Sequence, residues 1–178
     1  MEPKLSKQPI ESVRAISKKA PQNLIPAALI DKWDLNGRIY EFRNDDRYYV
    51  YDTFNYLLTN GGNTLEWSGW EFSRLFGDTG DIIGVWEGVD VPGEELNLRG
   101  NGTYTWQIEP GSEYFGDFTY DSGNLTATAA EMRATVSTSG SDISFYPPYG
   151  LPIDATWSIS EPYLTLDFSG TQYVYERV

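Results

Sequence analysis

Leu164-Thr165-Leu166-Asp167-Phe168-Ser169-Gly170 alternates apolar and polar residues and then stops on a Ser-Gly pair. Period two marks a strand with one buried face, and the glycine supplies the backbone freedom a tight turn requires. The habit runs through the chain from Trp33 onward: Tyr104, Trp106 and Ile108 share one face, and Thr103, Thr105 and Gln107 the other. Short polar connections separate the runs, at Asn44-Asp45-Asp46, Asn60-Gly61-Gly62-Asn63, Gly100-Asn101-Gly102 and Asp121-Ser122-Gly123-Asn124. Such residues tolerate positive φ or form Asx turns, so the expected topology is an antiparallel meander. About ten to twelve alternating runs are present, and a row that long hides its edges best by closing into a barrel. The pattern is irregular in two places. Glu131 to Thr135 breaks the alternation, and Phe145 to Pro152, with Pro147, Pro148 and Pro152, reads as a loop placed to lie across a barrel mouth.

The opening stretch contains TLDFSG (Thr165 to Gly170), which matches TLEWSG (Thr64 to Gly69) with acid for acid and aromatic for aromatic. Its neighbours keep the relation. Leu29-Ile30-Asp31-Lys32-Trp33-Asp34 aligns with Ile82-Ile83-Gly84-Val85-Trp86-Glu87, Phe42-Arg43 with Leu98-Arg99, and Arg74 with Arg177, all in the same order. This pattern reads as an internal duplication, with a truncated copy over residues 29–76 and a full copy over 82–178. The expected organisation is a basic N-terminal arm (1–24) with a short helix over Glu11 to Ala20, followed by a single barrel domain (25–178).

A chain of 178 residues can bury a real core without staples. It contains no Cys and no His, which removes disulfides, thiolate or imidazole metal sites and the usual nucleophilic triads. No cofactor or metal is expected. The first apolar run, Leu24 to Ile30, is broken by Pro26, so no signal peptide or membrane span is predicted, and the chain is expected to be soluble and cytoplasmic by default. Lys4, Lys7, Arg14, Lys18 and Lys19 outweigh Glu2 and Glu11 within residues 1–20, a net of +3, which leaves −16 on the remainder. An acidic body of that kind repels nucleic acid and anionic membranes. Its basic arm is either a free tail or a tether that folds onto the body or onto a second subunit, as in a homo-oligomer.

Gly84-Val85-Trp86, the turn-Gly-Thr-Tyr-Thr stretch over Asn101 to Thr105, and the terminal Arg177 resemble the bacterial lipocalin-like domains of the calycin superfamily. The resemblance covers residues 82–178 and, in outline, 29–76. It implies an up-and-down antiparallel barrel around an apolar cavity, closed at one end by Trp86 under Arg177, with Trp33 and Arg74 as the equivalent pair of the short copy. That copy departs from the family in having Asp31 where glycine is expected, and it lacks the inserted hairpins, so the two copies are expected to share one sheet system. Apart from the resemblance, a guanidinium stacked on indole gains on the order of 1 kcal/mol and seals apolar surface with its stem.

Aromatic residues stand above the needs of an ordinary core, with six Trp and thirteen Tyr. The expected ligand-contacting set is Tyr48, Tyr104, Trp106, Phe118 and Trp157. Three functions follow: non-catalytic binding of a small apolar or aromatic molecule in a barrel cavity, cofactor-independent cyclisation of a polyene or polyketide shaped by such a cavity, or a structural role in an oligomeric assembly. The balance leans against an enzyme. The acid pairs Asp45-Asp46, Glu94-Glu95 and Glu109 with Glu113 are the remaining candidates for acid/base work, and each sits in or beside an expected turn.

Overall fold

A computed structural model describes residues 25–178, and the expected arm and its helix lie outside the described residues. Alternation becomes fourteen antiparallel strands. They are β1 (Asp31–Leu35), β2 (Arg38–Arg43), β3 (Arg47–Thr59), β4 (Thr64–Trp67), β5 (Trp70–Phe76), β6 (Gly84–Gly88), β7 (Glu95–Leu98), β8 (Thr103–Glu109), β9 (Ser112–Asp121), β10 (Thr126–Ser139), β11 (Asp142–Tyr146), β12 (Ile153–Ser160), β13 (Tyr163–Phe168) and β14 (Thr171–Arg177). Each strand pairs with the next, and β1 pairs with β14 through Trp33 opposite Arg177, so the sheet closes into a ring. No strand among the described residues is left with a wholly unpaired edge. Among the described residues no helix is long and apolar enough to cross a membrane.

The two longest strands add a connection that the meander reading did not anticipate. β3 and β10 pair with each other from Asn55 opposite Thr126 to Arg47 opposite Thr135. On its other edge β3 is met by β2 near Arg47–Val50 and by β4 near Tyr56–Thr59. On the far edge of β10, β9 covers Thr126–Glu131 and β11 covers Thr135–Ser139. The shared ribbon therefore divides the ring into two circuits of eight strands. One, the first barrel, contains β1–β3 and β10–β14; the second contains β3–β10. Where the sequence suggests one barrel lumen, the structure has two apolar interiors.

Each interior has its own core. Trp33, Phe42, Val136, Ile143, Leu164 and Leu166 fill the first, and Trp67, Phe72, Trp86, Leu96, Leu98 and Phe118 fill the second. One face of β3 serves both: Tyr48 packs into the first barrel, and Phe54 and Tyr56 into the second. Its other face carries Tyr49 and Tyr51 against Ala130, Met132 and Phe115. There Arg43 lies 3.7 Å over the Tyr49 ring and binds Glu41 at 2.6 Å and Asp117 at 2.5 Å. With its guanidinium so fully engaged, this cluster is structural.

The break expected at Glu131 to Thr135 is a β-bulge. β10 continues through it, but the pairing register to β3 shifts between Met132 and Ala134, leaving Arg133 as the extra residue. Beside it, Gly116 allows a close approach of β9: a Cβ there would stand 1.9 Å from the Ala130 carbonyl oxygen.

Candidate functional site

One end of each barrel is sealed by the tryptophan and arginine that the sequence singles out, but with the partners exchanged. The expected pairs were Trp86 with Arg177 and Trp33 with Arg74. Instead Arg177 lies 4.5 Å over Trp33, and Arg74 lies 4.0 Å over Trp86. The reason is topological: β1 is hydrogen-bonded to β14 and β6 to β5, so the start of each aligned segment meets the end of the other. Both indoles are 0% exposed, and they donate equivalent hydrogen bonds four residues back, Trp33 Nε1 to the Leu29 carbonyl at 3.0 Å and Trp86 Nε1 to the Ile82 carbonyl at 2.9 Å.

The Asp31-for-Gly84 difference has a physical role here. Arg177 donates to Asp31 at 2.5 Å and to Glu161 at 2.8 Å, so carboxylates satisfy its charge. Arg74 has carbonyl partners instead, at Gly62 (2.8 Å) and Asp81 (2.7 Å), and burial pushes its guanidinium down from the ordinary value. Gly84 leaves room for that packing, since a Cβ would come within 3.1 Å of Arg74 Nη1 and 2.3 Å of the Phe76 carbonyl oxygen.

Away from its seal, the first barrel holds a cavity of about 490 Å³ where it adjoins the second. That volume lies within the range of small-molecule sites. Tyr48, Val50, Ala134, Phe145 and Phe168 form its apolar walls, and Tyr114 closes the side nearest the second barrel. Pro147, Pro148 and Tyr149 line it from the 147–152 loop, which starts two residues later than the expected Phe145 because Phe145 and Tyr146 pair with β10 as the end of β11. The backbone N–H of Glu113 donates to the Tyr149 hydroxyl at 2.8 Å and ties the loop to the β8–β9 hairpin. Aromatic rings continue around the wall: Tyr48 meets Phe42 at 4.9 Å and Phe145 edge-on at 5.2 Å, and Phe145 meets Phe168 at 5.9 Å. Burial pushes the Tyr48 hydroxyl well above its ordinary pKa and that of Tyr175 up to about 12, so both stay neutral hydrogen-bonding groups at pH 7.

Four charged side chains reach the same cavity: Arg38, Glu113, Glu131 and Arg133. Arg38 is engaged by Asp52 at 2.7 Å. Glu131 is only 16% exposed; burial raises its pKa, against the opposing pull of Arg133, whose Nε stands 3.1 Å away. Chemically, the site offers planar apolar walls, neutral phenols, a carboxyl that gains protons more readily than usual, and a guanidinium.

Of the five expected ligand contacts, only Tyr48 lines this cavity. Tyr104 and Phe118 pack in the second barrel, with Phe118 also reaching a groove beside Ile83 and Arg99. Trp106 stands at the rim of that barrel, 5.4 Å from the exposed Trp70, and donates to the buried carboxylate of Glu94 at 2.8 Å. Trp157 packs on the first barrel's core and donates to the Gly140 carbonyl at 3.1 Å. The acid pairs are not gathered into a site: Asp45 faces Arg47 at 3.7 Å, and Asp46 accepts from the Ile25 backbone at 3.2 Å. Among the described residues no three Asp or Glu side chains converge as metal ligands would. Glu131, Arg133, Phe145 and Phe168 were not on the expected list, and the available signal for the first two was the break in alternation around them.

No protein-family model matches the chain, and neither a curated protein nor a solved structure shows significant similarity to it.

Proposed function

We propose that the chain binds a small apolar or aromatic molecule in the first barrel. The observation that carries this reading is the chemistry of the lining: the space of about 490 Å³ in the first barrel is walled by Tyr48, Phe145 and Phe168 under a proline-rich strap, whereas the larger groove on the second barrel, about 850 Å³, carries Asp78, Asp81, Asn97 and Arg99 on its walls. The lipocalin-like resemblance fits the same reading, since it implies an apolar cavity inside an up-and-down barrel.

The neutral dye N-phenyl-1-naphthylamine tests this, because its fluorescence rises on entering an apolar site. The expected result is saturable binding with one site per chain, abolished in Ala134→Phe, which fills the cavity from its wall. An absence of enhancement, or equal enhancement in a folded Ala134→Phe, would overturn it.

A second reading has one observation in its favour. Burial raises the pKa of Glu131 in a shaped apolar cavity, which is the direction a general acid of a cofactor-independent polyene or polyketide cyclase would need. Product analysis after incubation with the bound molecule separates binding from turnover, and Glu131→Gln would abolish turnover alone.

A further inference from the structure

The bulge in β10 is the one irregularity in the shared ribbon, and it falls at the cavity. In a regular ladder the residue after Met132 would pair with β3; here the register skips it, and Arg133 is left over as a cavity-lining side chain. Bulges re-aim side chains in this way beside binding sites. Its ε N–H is buried and finds no aligned acceptor, although Glu131 Oε1 is 3.1 Å from the nitrogen. The side chain is still 41% exposed. Guanidinium carries five donors and no acceptor, so Arg133 has unused donor capacity facing the cavity.

Charge narrows what those donors can take. The chain carries −13, and Glu131, Glu113 and Asp52 lie at or behind the cavity wall, which opposes an anionic occupant. Arg38 and Arg133 oppose a cationic one: Asp52 is held by Arg38, Glu131 lies 3.1 Å from Arg133, and the remaining carboxylate of the wall, Glu113, is exposed to water. An uncharged acceptor suffers neither penalty, and its hydrogen bond to a charged donor is stronger than one between neutral groups. Around it, Tyr48, Phe145 and Phe168 offer ring faces, and Tyr114 and Tyr149 offer hydroxyls.

We propose that the occupant is an uncharged aromatic molecule bearing a carbonyl oxygen, with its ring among Tyr48, Phe145 and Phe168 and its oxygen accepting from the terminal amino groups of Arg133. This deepens the binding reading above and rests on it.

A matched probe series separates the two claims: 2-acetylnaphthalene, 2-ethylnaphthalene, 2-naphthoate and 2-naphthylmethylammonium, titrated at pH 7 by calorimetry. The ketone is expected to bind about tenfold more tightly than the ethyl compound, as one hydrogen bond to a charged donor implies, and both ions more weakly than the ketone. Arg133→Met removes the ketone's advantage over the ethyl compound. Should Arg133→Met not fold, as judged by near-ultraviolet circular dichroism, Arg133→Lys provides the same comparison and narrows the advantage by losing the planar fork. Equal binding of ketone and ethyl compound, tightest binding by either ion, or a ketone advantage that persists undiminished in the folded variants refutes the acceptor assignment alone. Failure of all four probes to bind removes the cavity reading along with it.

Discussion

Exchanged closure makes a prediction that no reading of the aligned segments separately would make. Arg177→Met keeps the apolar stem over Trp33 and removes the charge. The structure then loses one cation–π contact at 4.5 Å and ion pairs to Asp31 and Glu161. The first contributes about 1 kcal/mol, and each partly exposed ion pair about 0.2–1 kcal/mol, so the total loss is about 2 kcal/mol. Trp33→Phe removes the hydrogen bond to the Leu29 carbonyl, about 1 kcal/mol, together with part of a wholly buried indole. The informative quantity is the coupling between the two. Contacting residues interact by about 0.5–3 kcal/mol, whereas distant ones add within about 0.5 kcal/mol. Arg177→Met with Trp33→Phe should show coupling of about 1 kcal/mol, as should Arg74→Met with Trp86→Phe. Arg177→Met with Trp86→Phe should simply add. Urea unfolding followed by tryptophan fluorescence and far-ultraviolet circular dichroism measures each corner, with coincident transitions as the condition for using the free energies. Coupling in the Arg177 and Trp86 pair, with none between Arg177 and Trp33, would refute the exchange.

Gly116→Ala puts a methyl group 1.9 Å from the Ala130 carbonyl and should destabilise the chain by about 3 kcal/mol or more, read as a fall in Tm. Glu94→Ala leaves the Trp106 indole N–H without its carboxylate, which costs about 1–3 kcal/mol and is visible in thermal unfolding. Glu131 has a raised folded pKa, so the stability it contributes is present below the ordinary carboxyl value and is lost as pH rises through the folded one. The difference in unfolding free energy between wild type and Glu131→Gln should accordingly shift in favour of the variant from pH 4 to pH 7, and a pH-independent difference would contradict it.

Strand content was legible because one buried face dictates period two. Tyr104, Leu164 and Leu166 are buried as their alternation requires, while Thr103 and Thr165 are only partly covered. The proline loop over the cavity was legible as well, since Pro147 and Pro148 cannot donate to a ladder. The exchange of Trp and Arg partners was not, because like segments present like edges and nothing local says which β1 partner will be used. Nor was the β3–β10 ribbon, whose clue lies only in strand length, at 13 and 14 residues. The cavity was missed for a related reason. Its walls come from β2, β3 and β9 to β13 together with the 147–152 loop, so their proximity is a property of the closed ring rather than of any stretch of sequence. Trp106 and Phe118 drew attention by their size, and they are large because they fill the other barrel.

The shared ribbon also sets an order of assembly. Every strand of the second barrel lies between Arg47 and Ser139, a continuous run of chain, whereas the first is made from both termini and needs Trp33 to meet Arg177. A nascent chain that emerges N-terminus first can close the second barrel while β11–β14 are still inside the ribosome. During that interval β1 and β2 wait without their partner, and the ring-lined cavity does not yet exist. The cavity is thus completed only when β14 closes the ring onto β1, and losing β14 would leave a folded half with an open one beside it.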